Sequence, residues 1–416
     1  MLLIPLLYFI GLGIYFYKKQ QCWNIDIAAV SLLVLISFFA ILIDINDIYG
    51  MYGINENHIT LPTILLFCIQ WTIILLPIHY IANLPIEKHP EVKTKLLYIL
   101  AITISIASII IISTSMQDIK EALVMDIVDR YNDNINNVSM GSTESNYFML
   151  LPQILVAPPF PTLALFIWFY LKTFTNCSVY LRITLLIASI VQSIVSIIGA
   201  GRAAMVFWMI DFFLLYSYFY KYLSAKLKRN INITFGIIAI ICSCSFIAIT
   251  ISRFDISGRD PMESLYGYAG QHINNFCAEI TAGENSPFSI DREFPLTAKL
   301  LGQKFNVLEH YENIASHVGI LVNVFGTFGG EIYLDLGWIG YIIFFLIWLM
   351  GYIAIKTKWY CFKFRYSFIF VILIAFINKG LFYWPLMGHY TTLAIMLMFL
   401  NCYLFKYILK SATYRV

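Results

Sequence analysis

Apolar runs of about 17–25 residues recur along this chain from one end to the other, and a bilayer is the solvent that accommodates so many of them. Eleven can be marked off, at about 2–17, 27–45, 61–81, 96–114, 149–171, 181–199, 203–220, 231–250, 333–354, 366–384 and 390–408. A helix closes its backbone hydrogen bonds within one segment, which is what hydrocarbon demands. The sequence therefore predicts an all-α, polytopic integral membrane protein: one transmembrane domain over 1–416 with about eleven transmembrane helices. Only 12% of residues are charged, against about 25% in a soluble domain. The first run lacks a basic leader and a small-residue cleavage site, so it reads as a retained helix rather than a signal peptide.

Basic residues orient the spans. With the N-terminus outside and the C-terminus inside, the inner loops hold Lys18 and Lys19; Lys88, Lys93 and Lys95; Lys172 and Arg182; Lys221, Lys226, Lys228 and Arg229; Lys356, Lys358, Lys363 and Arg365; and Lys406, Lys410 and Arg415. Of the 24 acidic residues only Asp26, Glu87 and Glu91 join them. Short basic loops suit anionic lipid headgroups. Membrane lipids are thus expected partners and nucleic acid is not. Two outer segments remain, at about 115–148 and 251–332. The first is acidic and predicts an amphipathic helix from Gln117 to Tyr131; the second opens with the longest polar stretch of the chain, 251–315. There is no Walker motif, no nucleotide fold, no internal repeat and no cytoplasmic catalytic domain. The eight cysteines show no CxxC and no Cys/His pairing at zinc spacing, so no disulfide, metal or cofactor is expected. Any chemistry belongs in the membrane or on its outer face.

Ser316–Gly340, SHVGILVNVFGTFGGEIYLDLGWIG, is a poor lipid-facing helix. It holds His317, Asn323, Thr327, Glu331 and Asp335, with glycines at 319, 326, 329, 330, 337 and 340. Polar groups at membrane depth are costly unless they face protein or a wet cavity, and glycine permits turns and close backbone approach. This run is expected to line a cavity at the membrane surface. Basic residues are otherwise scarce on the outer side, yet Arg202, Arg253, Arg259 and Arg292 fall there. Guanidinium forks fit phosphate oxygens bidentately, so four of them near one face would clamp a diphosphate. The plainer reading pairs Arg253 with Asp255, Arg259 with Asp260 or Glu263, and Arg292 with Asp291 or Glu293; Arg202 has no acid in its turn. His317 is the first choice for a proton acceptor, followed by His272 and His310. Asp211 and Lys379, each about two turns below the outer surface, are expected to pair, with a proton relay as the functional alternative. Phe207, Trp208, Phe212, Phe213, Phe382, Tyr383 and Trp384 crowd the membrane borders as belt residues or sugar-stacking rings.

Three motifs carry a resemblance. Asn323–Gly340, NVFGTFGGEIYLDLGWIG, resembles the Asn-x-(Phe/Tyr)-x-x-Phe…Tyr-x-Asp-x-Gly-x-x-Gly block of the Wzy-type oligosaccharide repeat-unit polymerases of bacterial inner membranes. Gly199–Arg202 is similar to their short Gly-Arg turn, and Arg259 with Gly270 matches an Arg-x10-Gly spacing of their outer loops. The resemblance in span count and late outer loop covers nearly the whole chain; the motifs cover about forty residues. It implies a multispan (GT-C-like), metal-independent glycosyltransferase that joins undecaprenyl-diphosphate-linked oligosaccharides into O-antigen or capsular polysaccharide at the periplasmic face. A chain-length regulator membrane protein would be a further partner. Arg202, Arg253, Arg259 and Arg292 would hold the leaving diphosphate, with His317 or His272 as base. Asn323, Thr327, Glu331, Tyr333 and Asp335 would shape the substrate pocket. An O-antigen ligase is the nearest alternative, although its His-Asn pair is not evident here. A lipid-linked oligosaccharide flippase is the alternative of another class, against which the lack of repeats counts.

Overall fold

Where described, each of the eleven apolar runs folds as helix, continuous or broken. A computed structural model describes residues 1–49, 54, 56–86, 91–124, 147–175, 177–196, 198, 203–255, 261–290, 294, 296, 307–322, 325–386 and 388–413. In chain order the helices are α1 (Leu3–Gln20), α2 (Ile25–Ile45), α3 (Leu61–Ala82), α4 (Glu91–Thr114), α5 (Met116–Val124), α6 (Tyr147–Val156), α7 (Phe160–Phe174) and α8 (Val179–Val195). Then come α9 (Ala203–Phe219), α10 (Ala225–Asp255), α11 (Pro261–Ala282), α12 (Val307–Val318), α13 (Phe328–Lys358), α14 (Ser367–Asn378) and α15 (His389–Thr413). Among the described residues no strand forms, only an isolated bridge between Ile86 and Phe362. Among the described residues six helical stretches are long and apolar enough to cross a membrane, and a seventh if the bent pair α6–α7 counts as one span. The protein is an all-helical, multispan membrane protein.

The chain divides into two compact units. The first holds α1–α3, α11–α13 and residues 376–389; the second holds α4–α10, most of α14 and α15. In the first, α2 packs against both α1 and α11, and α11 also lies on α3 and α13. Aromatic rings knit these helices together, with Phe67 5.5 Å from Phe276 and Trp71 5.7 Å from Phe328 between ring centroids. One end of this unit is basic. There buried Asp26 accepts from Gln20 at 2.5 Å and from His79 Nδ1 at 2.7 Å, Lys19 meets His79 Nε2 at 3.3 Å, and the Tyr80 hydroxyl donates to the Trp359 carbonyl at 2.7 Å. At the opposite end the Thr281 hydroxyl donates to the His58 carbonyl at 3.0 Å.

In the second unit α6 and α7 meet at 61° around Pro158 and Pro159, which carry no backbone N–H to continue a helix. Side chains from neighbouring helices occupy the break. Gln192 donates to the Val156 carbonyl at 2.9 Å, and Thr162 donates to Asp211 at 2.5 Å. Asp211, expected opposite Lys379, thus has the Thr162 hydroxyl as a partner. Around α7 the rings of Phe166, Phe169, Phe219, Phe362 and Phe370 form a continuous aromatic core.

The two segments read as outer loops are largely helical where described. In the first, α5 is described as far as Val124, and 125–146 lie outside the described residues. In the second, α10 runs on to Asp255 and α11 is buried against three helices. The close approach is made at Gly270, where a Cβ would overlap the Phe39 and Ala40 backbone of α2. Replacing an interior helix glycine with alanine ordinarily gains about 1 kcal/mol. Gly270→Ala is expected to do the reverse and lose about 1–3 kcal/mol by overpacking, read as a lower melting temperature of the detergent-purified protein. A raised melting temperature would show that α11 does not sit on α2 in this way.

Candidate functional site

Tyr268, His272, Asn275 and Glu279 recur on α11 at the spacing of one helix face. That face meets the segment Phe325–Gly330, which leads into α13. The Phe325 ring stacks on His272 (5.7 Å, 24°) and lies 5.6 Å from Tyr268, while Phe382 stands edge-on to His272 at 4.7 Å. Asn275 donates to the Phe325 carbonyl at 3.0 Å and to Gln271 Oε1 at 3.3 Å. The Glu279 carboxylate lies against Gly326 and Gly330, where a Cβ at either position would overlap its oxygens. Gly329 likewise leaves room for Gln70 Oε1 of α3, which accepts from the Tyr341 hydroxyl at 2.9 Å. Three glycines therefore let two helices bring polar side chains onto bare backbone.

Thr327, between them, has φ 85° and ψ 150°. A β-branched residue at positive φ costs about 1–3 kcal/mol, and the surrounding packing must hold it there. α13 then starts at Phe328 and breaks at Gly337 (φ 63°, ψ −169°). The break frees the Asp335 carbonyl, which accepts from the Ser289 N–H at 2.9 Å. It also separates a short buried segment, Phe328–Leu336, from the lipid-facing remainder of the helix.

Glu331 and Asp335 lie one turn apart on that short segment, at 1% and 0% exposure. Each meets one of two consecutive residues of α12. His310 Nε2 is 3.2 Å from Asp335 Oδ1, and the Tyr311 hydroxyl donates to Glu331 Oε1 at 3.4 Å. The second oxygen of Glu331 accepts from the backbone N–H of Trp384. Carboxylates, an imidazole, amides and hydroxyls are thus gathered from α3, α11, α12 and α13.

His272, Thr327, Glu331 and Asp335, singled out from the sequence, all belong to this cluster. Tyr333 sits on the same short segment but packs against Gly283 and the Trp338 ring, 4.8 Å away. His317 is elsewhere. It is exposed at the end of α12, with Nδ1 2.7 Å from the Asn313 carbonyl, seven positions along the helix from His310. Arg202, Arg259, Arg292 and Asn323 lie outside the described residues. Arg253 is in the last turn of α10 by its backbone, and its side chain lies outside the described residues too. Glu279, Asn275, Gln70 and Tyr311 were missed by sequence reasoning. The signal was available for the first two: polar residues at helical period within a stretch taken for loop.

Among the described residues no group of three or more His, Cys, Asp and Glu is arranged to hold a metal ion. Burial raises the Cys277 thiol to about 12, so it is no ready nucleophile. Burial lowers His272 from 6.5 to about 3, against a smaller opposite pull from the Tyr268 carbonyl, so the ring is neutral at neutral pH. The unfolded chain therefore binds the extra proton between those values. Stability from His272 is complete above about pH 6.5 and is lost as pH falls toward 3. Melting curves over pH 4–7 are expected to fall more steeply with acid for the parent protein than for His272→Phe; equal slopes would contradict the buried neutral ring.

Set against known proteins, the chain matches no family model, no curated protein and no solved structure.

Proposed function

We propose that this chain is a membrane glycosyltransferase of the Wzy-type polymerase kind, joining lipid-diphosphate-linked oligosaccharide repeat units. The observation that carries the reading is the contact of His310 with the buried carboxylate of Asp335, within the stretch that resembles the family block. A carboxylate behind an imidazole fixes its tautomer and stabilises the protonated ring. With Nε2–H directed to Asp335, Nδ1 is the nitrogen that takes up a proton. The acceptor hydroxyl gives its proton to His310, and its oxygen bonds to the anomeric carbon of the donor sugar. The bond from that carbon to the phosphate oxygen breaks, and the electron pair leaves with undecaprenyl diphosphate. By the resemblance, outer-side arginines of the same unit, Arg259 and Arg292, would neutralise the charge that develops there. Glu331, held by Tyr311 and the Trp384 N–H, fixes the start of α13 beside Asp335.

The placement of charge supports the orientation this chemistry needs. In the first unit Lys19 shares one end with His79, Tyr80 and Trp359, while Thr281 meets His58 at the other. On this reading the basic end is cytoplasmic and the N-terminus periplasmic. Some eleven spans cross the bacterial inner membrane, and α11, α12 and the start of α13 lie toward the periplasm. The seat of the base moves from His317, the sequence's first choice, to His310, because His310 and not His317 has a buried carboxylate behind it, and the other such pair, His79 with Asp26, lies at the basic end.

A strain lacking this protein is expected to display single repeat units on its surface glycan, and the parent protein to restore the polymer ladder. His310→Ala and Asp335→Asn are expected to lower ladder formation at least about 100-fold at equal protein level, as loss of a general base does. His317→Ala is expected to restore the full ladder. A normal ladder from His310→Ala would exclude His310 as the base. Failure of lipid-linked units to reach the outer face in the null strain would point to a flippase instead.

A further inference from the structure

The α11 face carries more hydrogen-bonding capacity than the protein uses. His272 Nδ1, Asn275 Oδ1, Thr327 Oγ1 and Gln70 Nε2 are buried with no hydrogen-bond partner of normal geometry among the described residues. Each such group costs about 1–3 kcal/mol. Thr327 adds the strain of its positive φ to an unpartnered hydroxyl. A chain that only needed to pack here would do better with valine and phenylalanine at 327 and 272.

We propose that Tyr268, His272, Asn275 and Glu279 of α11, with Phe325 and Thr327, seat a neutral sugar ring. The inference rests on the glycosyltransferase reading and names the part of the substrate that this face receives: a ring of the lipid-linked oligosaccharide, not its diphosphate. Three features select that chemistry. The unpartnered groups are hydroxyl, amide and neutral imidazole, which both give and accept hydrogen bonds, as sugar hydroxyls require. The rings of Tyr268, Phe325 and Phe382 pack around them, and aromatic rings suit the apolar C–H side of a pyranose. The carboxylate of Glu279 is buried on this same face, which disfavours a phosphate there but suits hydroxyl donors. A site built to hydrogen-bond hydroxyls rejects ligands that lack them, because its own buried groups then stay unpaired.

The test compares two lipids on the full-length protein in nanodiscs: the radiolabelled undecaprenyl-diphosphate-linked repeat unit, isolated from the null strain, and bare undecaprenyl diphosphate. Thr327→Val keeps the shape and removes one hydroxyl; His272→Phe keeps a ring and removes its nitrogens. Both are expected to melt at or above the parent temperature, since each deletes an unpartnered polar group. Both are expected to bind the repeat-unit lipid about tenfold more weakly, with affinity for bare undecaprenyl diphosphate unchanged. Free repeat-unit oligosaccharide, released by mild acid, is expected to compete with the parent protein's ligand and not with the residual binding of the variants. Unchanged affinity of both variants for the repeat-unit lipid, or an equal loss for both lipids, would overturn the sugar seat. Sugar-dependent binding by a protein that builds no polymer would overturn the polymerase reading and leave the seat standing. Binding of neither lipid by the parent protein would overturn both.

Discussion

Glu279 rests against bare backbone, and the first unit is arranged around that contact. Its carboxylate fills the volume that Cβ atoms at Gly326 and Gly330 would need. A carboxylate this deeply buried is tolerable only with polar groups close about it. Glycine is the residue that lets the backbone come so near. Gln70 makes the same demand on Gly329 from α3. Any side chain at these three positions would drive the start of α13 away from α11 and α3. Glu331 and Asp335 would move with it, off Trp384, Tyr311 and His310.

The break at Gly337 is the second consequence of packing polar residues beside lipid. Ahead of it Glu331, Tyr333 and Asp335 are enclosed by protein; beyond it Ile339, Ile342, Ile343, Leu346 and Ile347 are exposed as lipid-facing residues are. An unbroken helix would carry one stripe of side chains through both environments. A glycine at φ 63° redirects the chain at the boundary and lets a backbone N–H from Ser289 occupy the freed carbonyl. The α6–α7 break lies at prolines in the second unit, and there Gln192 supplies a partner to the Val156 carbonyl.

How far the site could be read from sequence varied by residue, for definite reasons. Thr327, Glu331 and Asp335 stood out because polar residues among glycines are costly in an apolar context. Glu279 and Asn275 did not, because α11 was taken for loop, and periodicity carries meaning only once a segment is known to be helix. His310 and His317 are seven residues apart, about two turns of one helix, and so lie near the same stripe. Sequence has no way to choose between them. The choice turns on which ring lies over a carboxylate 25 positions further along the chain, and Asp335 meets His310.

The amino-acid sequence by itself determined that this protein is helical, that it lies in a membrane and that Ser316–Gly340 is unlike its surroundings. Those properties follow from runs of apolar residues, whose transfer into hydrocarbon depends on local composition alone. Tertiary structure decided that α11 is buried rather than an exposed loop, that Glu279 sits on glycine backbone and that His310 rather than His317 faces an acid. Each of these depends on which distant segments touch. A hydrogen bond of about 3 Å is set by the crossing of two helices, and the residues along either one do not encode where the other passes.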